Sequence, residues 1–320
     1  MFKMIIYKLS QMIVVLFILT TITFILMKLS PGNPVDKILH LDISHVSNEQ
    51  IETTENKLGL NNPIFIQWWH WLNQLFHFDL GTSYQTSEPV IKEIANYLGP
   101  TLIITFGTLI VSLVISIPLG IIAAVYYHKI WDRIIRVMTS LSVSLPSFFI
   151  GLILLYIFSL KLNILPIITM SIGMCAYYIR FIRSTLLEQY QTPIVESSRL
   201  RGMPERYILF QDILKPTILP IIPLLGLSIG SLIGGTVVIE NLFDIPGLGY
   251  FLVDSIKSRD YPVIQGCVLF IGFFVVIINT IADLLSLLID PKQRYAITQK
   301  ETSKFKWFNS HRKEGRNDEV

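Results

Sequence analysis

Residues Tyr97–Tyr127, "YLGPTLIITFGTLIVSLVISIPLGIIAAVYY", run for 31 positions without a charged side chain. A helix rises 1.5 Å per residue, so about 20 apolar residues cross the roughly 30 Å of a bilayer's hydrocarbon. Lipid offers no partner to a free backbone N–H or C=O, and a helix is the conformation that satisfies both within one segment. Five further uncharged runs repeat the pattern: Leu9–Met27, Val137–Leu160, Leu162–Ile179, Pro216–Ile239 and Tyr261–Ala282. In the last, Asp283 interrupts a run that continues to Ile289. Leu162–Ile179 is the shortest and carries Pro166. The whole composition agrees, with 15% charged residues against about 25% in soluble domains. The sequence predicts an all-α integral membrane protein with six transmembrane helices. Leu9–Met27 is longer than the h-region of a secretory signal and no A-x-A-like site follows, so it reads as an uncleaved first helix.

Six spans place both termini on one side. Nineteen of the 26 Lys and Arg fall on that side, in the N-terminal lead, the Lys129–Arg136 loop, the Arg180–Lys215 stretch and the tail. The basic side is cytoplasmic by the positive-inside rule. The net charge of +3 is therefore a topology signal and does not call for nucleic acid. Cys175 and Cys267 fall inside spans, without the spacing of a metal or redox pair, and read as packing residues. Residues 1–96 form the first helix and an extracytoplasmic segment. That segment's stretch "PIFIQWWHWLNQLFHFDLGTSY" (63–84) places Trp and Tyr where the membrane interface favours them. Residues 97–291 form a five-helix core, and 292–320 a hydrophilic tail expected to be mobile, with Phe305, Trp307 and Phe308 able to rest on the membrane surface.

One polar island breaks the apolar chain: "VESSRLRGMPERYILFQDILKP", Val195–Pro216. Pro193 suits a helix N1 position, where its missing N–H costs nothing. Glu196 falls in the first turn, where a carboxylate favours the helix dipole. Ser197 and Ser198 are small enough for another surface to come close. Gly202 suits the left-handed C′ position, and Pro204 starts a second helix that Lys215-Pro216 is predicted to end. The pattern predicts a rigid helix–turn–helix able to receive force from a partner. A plain solvated loop is the commoner explanation for such a segment.

Other residues carry open readings. Gly226, Gly230 and Gly234 form a small-residue stripe in the fifth span, suited to close helix packing or to lining a pathway. Asp283 is the one carboxylate within a span, a functional candidate by default or a structural pairing near the cytoplasmic end. Glu240 and Asp244 would either attract a cation or, more in keeping with their place at a span end, anchor the loop. His40, His45, His70 and His77 lie in the external segment without zinc-type spacing, and the chain calls for no bound metal and no cofactor.

"ESSRLRG" followed by "ILKPTILP" resembles the EAA motif of ABC-importer permeases, with Ser197 and Ser198 in place of the alanines. "LSPGNPV", "FDLGTSY", "SLPSFFIGL", "GGTVVIENLFDIPGLG", "RDYPVIQG" and "LIDPKQRY" occur in order through about residue 295 and resemble the first, B-type, subunit of the peptide/nickel branch. The likeness leans toward the nickel-import members. It implies a type I ABC importer permease fold in a bacterial cell membrane. It also implies a second, C-type permease as heterodimer partner, two cytoplasmic ATPases and an extracytoplasmic binding lipoprotein. The helix with Glu196, Ser197, Ser198 and Gly202, in a coupling loop at about 190–215, would dock on an ATPase. The transported species would be nickel, bare or chelated, or short peptides. One departure is the short "NILP" turn between the third and fourth spans, where relatives have a longer external loop.

No G-x-x-x-x-G-K-[ST] phosphate loop is present, so ATP hydrolysis would fall to a partner and this chain is not expected to be an enzyme. The competing class is a stand-alone secondary transporter or channel, which would give gradient-driven flux in liposomes by itself. A membrane enzyme ranks last, since the chain has no H-E-x-x-H and no Ser/His/Asp constellation.

Overall fold

The computed structural model describes residues 2–39, 47–158 and 164–289. Thirteen helices follow one another among them: α1 (Phe2–Leu29), α2 (Pro34–Ile38), α3 (Asn48–Lys57), α4 (Ile64–Phe76), α5 (Val90–Val125), α6 (Ile130–Ser144), α7 (Ser147–Phe158), α8 (Leu165–Tyr190), α9 (Pro193–Leu200), α10 (Glu205–Tyr207), α11 (Lys215–Leu242), α12 (Leu248–Ser258) and α13 (Tyr261–Ile289). No β-ladder forms among the described residues beyond one bridge, Thr82 to Pro89. Five helical stretches are long and apolar enough to cross a bilayer, and six if the bent pair α6–α7 is one span. The tail from residue 292, with its predicted mobility and surface contact, and His40 and His45 lie outside the described residues.

The chain divides into two compact units. One comprises Met1–Ser184 with Ser228–Ile278, and the other Thr185–Leu227 with the described residues from Asn279 onward. In the first, α1 is apolar all round, with Ile13, Leu26 and Leu29 exposed, as suits a helix solvated by lipid. The segment between α1 and α5, predicted to be external, folds as short helices. Asn33 and Asp36 cap α2 reciprocally, as Ser47 and Gln50 cap α3. α4 buries Trp71 and Leu72 and leaves Phe65, Trp69 and Phe76 exposed. Phe17 of α1 meets Trp68 edge-on at 6.0 Å, which holds this interfacial helix against the first span.

The core of this unit joins α5, α12 and α13 through Val90, Ile94, Leu248, Phe251, Val263 and Cys267. Tyr97 stacks on Phe251 with centroids 4.3 Å apart. A second cluster, Ala123, Ile135, Cys175 and Ile179, joins α5, α6 and α8. Between α5 and α8 runs a polar seam. Thr101, Thr105, Thr108, Ser112 and Ser116 are all buried and recur at helical spacing along α5. Ser116 donates to the Cys175 carbonyl at 3.2 Å and Ser171 to the Thr108 carbonyl at 3.4 Å. Small hydroxyl residues let two helix backbones come close. Ser116 and Ser171 return their polarity to backbone carbonyls, Thr101 turns to Glu240, and the buried hydroxyls of Thr105, Thr108 and Ser112 have no hydrogen-bond partner among the described residues.

Two expectations need correction, and one span has a bend that its apolar run did not declare. The third span is not straight: α6 and α7 are bent by 97° at Leu145-Pro146. Pro146 offers no N–H and disfavours helical geometry at Leu145, which is extended at φ −100°, ψ 130°. The fourth span begins at Leu165, with Pro166 in its first turn, and runs on to Tyr190 rather than stopping at Ile179. Finally, Lys215-Pro216 does not end a helix. Helix runs unbroken from Glu205 to Leu242, through a π-helical segment at Ile208–Leu214. A regular helix would set the Pro216 ring against the Asp212 carbonyl, and widened i→i+5 turns just ahead relieve that clash.

Candidate functional site

Within the second unit, the polar island folds as α9, a tight turn and α10. Thr192 is extended, Pro193 takes N1, and Glu196 stands in the first turn. The amide of Gly202 bonds the Arg199 carbonyl at 2.9 Å and that of Met203 bonds the Ser198 carbonyl at 3.1 Å. These two bonds define a Schellman turn, with Gly202 at C′ and φ +74°. A Cβ at Gly202 would meet nothing within 4 Å, so the position demands glycine for its backbone angle and not for lack of room.

Behind the turn, Val195, Ile208 and Ile213 are fully buried, and α9 lies against the π-helical segment. Ser198 is buried and its Oγ accepts a bond from Arg201 Nη2 at 2.9 Å. Ser197 is exposed and donates to the Ile194 carbonyl at 2.9 Å. Arg199 pairs with Glu205 at 3.0 Å, an exposed contact that orders the turn but adds under about 1 kcal/mol. The outward face presents Glu196 and Ser197 between two bare apolar side chains, Ile194 at 61% and Leu200 at 84% exposure. Of the four predicted island residues, Glu196, Ser197 and Gly202 thus lie on the surface, Gly202 shaping the turn, while Ser198 is buried beneath.

The other predicted residues are dispersed. Gly226 is buried, Gly230 is partly buried and Gly234 is exposed, with nothing within 4 Å of a Cβ built there. Asp283 lies on α13, partly buried and engaged in an interaction of its own. Glu240 answers the question left open by the sequence. Its carboxylate is fully buried and accepts bonds from Thr101 Oγ1 (2.6 Å) and from the amides of Gly249 (2.7 Å) and Tyr250 (3.0 Å). Thr101 Oγ1 also accepts the Leu248 amide at 2.8 Å. The first turn of α12 is therefore capped by a glutamate and a threonine from two other helices, the stabilising place for negative charge.

A matching device sits at the start of α13. Asp260 is buried, accepts from Ser83 Oγ at 2.6 Å and from the Gln85 amide at 3.3 Å, and so ties the segment before α5 to the last span. Burial, with the Asp260 charge and Tyr261 nearby, pushes the Tyr84 phenol above its ordinary value of 10.0. Sequence reading missed a third buried carboxylate, Asp132, which pairs with Arg183. Arg183 had registered only among the basic residues of the predicted cytoplasmic side and Asp132 had not been singled out, and 51 residues separate them.

The apolar spans, the bent third one among them, are those of a multi-pass helical membrane protein, and family comparison gives the class. The chain belongs to the family of binding-protein-dependent transport system inner membrane components, whose model matches residues 116–295, with the family's N-terminal model matching 1–105. It is 68% identical over 301 residues to the nickel import system permease protein NikB of Staphylococcus aureus (strain USA300), covering 91% of this chain and 92% of that protein. The protein of the same name from strain bovine RF122 / ET3-1 is 67% identical over the same length. Among solved structures, the MetNI methionine ABC transporter in its inward facing conformations superposes with a TM-score of 0.57 at 18% identity, covering 64% of this chain and all of that one. That likeness shows a shared type I permease fold. The protein is thus a multi-pass membrane permease subunit of an ABC importer and is not itself an enzyme.

Proposed function

We propose that this subunit forms half of a translocation pathway for nickel, free or chelated, beside a C-type permease. In this reading residues 97–291 are the translocating core and 1–96 the lead helix and outer surface. Two ATPases bind from the cytoplasm, where both termini lie, and an extracytoplasmic lipoprotein delivers the cargo. The single observation that carries the coupling role is the α9 turn: a short helix locked by a Schellman turn, with Ile194 and Leu200 bare at its surface. Apolar side chains held rigidly on a polar segment are what a docking cleft requires. Glu196, Ser197, Ser198 and Gly202 make or shape that contact. Gly230 and Gly234 lie along the helix that would border the pathway, and Asp283 is an ionisable group on another.

The nickel assignment is supported by likeness to the Staphylococcus aureus permeases; short peptides are the other cargo of the branch. Uptake of radioactive nickel by cells with and without the gene tests it. Uptake should fall several-fold in the deletion, and unchanged uptake would sink the nickel version. A cross-link between Ser197→Cys and a cysteine in the ATPase tests the docking, and its absence in an assembled complex would sink it.

A further inference from the structure

We infer that Asp132 and Arg183 form a latch through which motion of α8 moves the α5–α6 turn during transport. The inference rests on α9 being the ATPase contact.

Asp132 has no exposed surface. Arg183 grips it with both edges, Nε to Oδ1 at 2.7 Å and Nη2 to Oδ2 at 3.0 Å. The His128 amide bonds Oδ2 at 3.1 Å, and Arg136 Nε stands 3.4 Å from Oδ1. The Arg183 guanidinium also lies 5.4 Å from the centre of the Tyr127 ring. Thus one arginine of α8 holds the first turn of α6 and the last residues after α5. His128, at φ +59°, makes the tight left-handed bend that brings its amide to the carboxylate. A few residues away the helices touch closely, since a Cβ at Gly120 would come within 2.8 Å of Ile182.

α8 is one helix from Leu165 to Tyr190, and α9 begins three residues later at Pro193. Arg183 stands about two turns before the end of α8. A force delivered at α9 displaces this end of α8, and the helix carries Arg183 with it. Apolar contacts alone let packed helices slide past one another. A two-pronged guanidinium–carboxylate pair fixes both distance and rotation, so α6 must follow. Because Asp132 is buried, losing Arg183 would leave its carboxylate with only Arg136 and the His128 amide, which favours the closed latch through the cycle. Asp132 and Arg183 are positioning residues and need not touch the cargo.

The test uses the whole transporter, with its second permease, ATPases and binding protein, in proteoliposomes. Two ratios are read: radioactive nickel moved per ATP hydrolysed, and binding-protein-stimulated over basal ATP hydrolysis, which does not depend on nickel being the cargo. Asp132→Asn and Arg183→Gln should keep basal hydrolysis and lower the ratios by about five- to a hundredfold, the usual range of coupling between sites. In the double variant Asp132→Cys/Arg183→Cys, a short thiol cross-linker should restore the ratios and reductant should lose them again in the same vesicles. Ratios equal to the wild type's in the assembled single variants would overturn the latch. So would a parallel fall in transport and hydrolysis at unchanged ratio, which would mean a structural role only. A joined and a released double variant that behave alike would overturn it too. The Ser197→Cys cross-link, run alongside, separates the two ideas: a cross-link that fails removes the docking reading, and one that forms beside unchanged ratios removes only the latch.

Discussion

Gly202 offers a way to separate the shape of the α9 turn from what the turn touches. Its φ of +74° lies in the left-handed region, where an L-residue costs roughly 1–2 kcal/mol. A Cβ there meets no atom within 4 Å, so nothing further is added by collision inside this chain. Alanine and tryptophan therefore share nearly the same backbone penalty. A penalty of that size shifts the population of the formed turn by about 5- to 30-fold. The two Schellman bonds and the buried Val195 behind them oppose the shift. Gly202→Ala should thus reduce transport by no more than about tenfold, and Gly202→Asn by less, since Asn tolerates this region. Gly202→Trp should abolish transport and weaken co-purification with the ATPases, because its extra bulk projects into the space a partner would fill. The assay is uptake in vesicles together with recovery of the assembled complex. Equal transport in the Ala and Trp variants would refute the reasoning, whichever level they share.

Three other outcomes follow from the buried contacts. Glu240→Ala leaves the amides of Gly249 and Tyr250 without partners, at about 1–3 kcal/mol each, and should visibly lower the thermal unfolding midpoint in detergent; an unchanged midpoint would contradict the capping role. Gly249→Ala drives a Cβ into the Val237 backbone and should destabilise by about 1–3 kcal/mol or more, whereas Gly173→Ala, in open space on α8, should be neutral or stabilising in the same unfolding assay. The native fold keeps Tyr84 protonated above its ordinary pKa while the unfolded chain ionises, so stability should fall as pH rises past about 10. Tyr84→Phe should flatten that alkaline decline, and an identical slope in both proteins would count against it.

The spans were legible because the bilayer imposes one rule on every residue in them: Tyr97–Tyr127 cannot hold a charge and need not hide it. What hydropathy lacks is direction. Val137–Leu160 reads as one apolar run whether its axis is straight or turns by 97° at Pro146. Pro216 was misread for a related reason, since proline announces a missing donor but not whether a π-helical turn absorbs it. The Gly202 turn was legible because a left-handed residue between a polar helix and a proline is a local signal. The Asp132–Arg183 pair was not, because its partners meet only through the packing of α5, α6 and α8. The hydroxyl row on α5 was present in the spacing of Thr101, Thr105, Thr108, Ser112 and Ser116, and an eye for buried polarity would have found it.

The return of the chain from Glu240 to the Gly249 amide acts as a ruler. A residue added or removed in the loop between α11 and α12 would change the path that brings the first amides of α12 to the carboxylate, and those bonds would be strained or lost. That connection resists change in length, so an inserted epitope belongs elsewhere in the chain. In the segment between α1 and α5, by contrast, α2 and α3 carry their own capping boxes and borrow no carboxylate from a distant helix. Where this permease resists added length is therefore set by where one glutamate finds its hydrogen bonds.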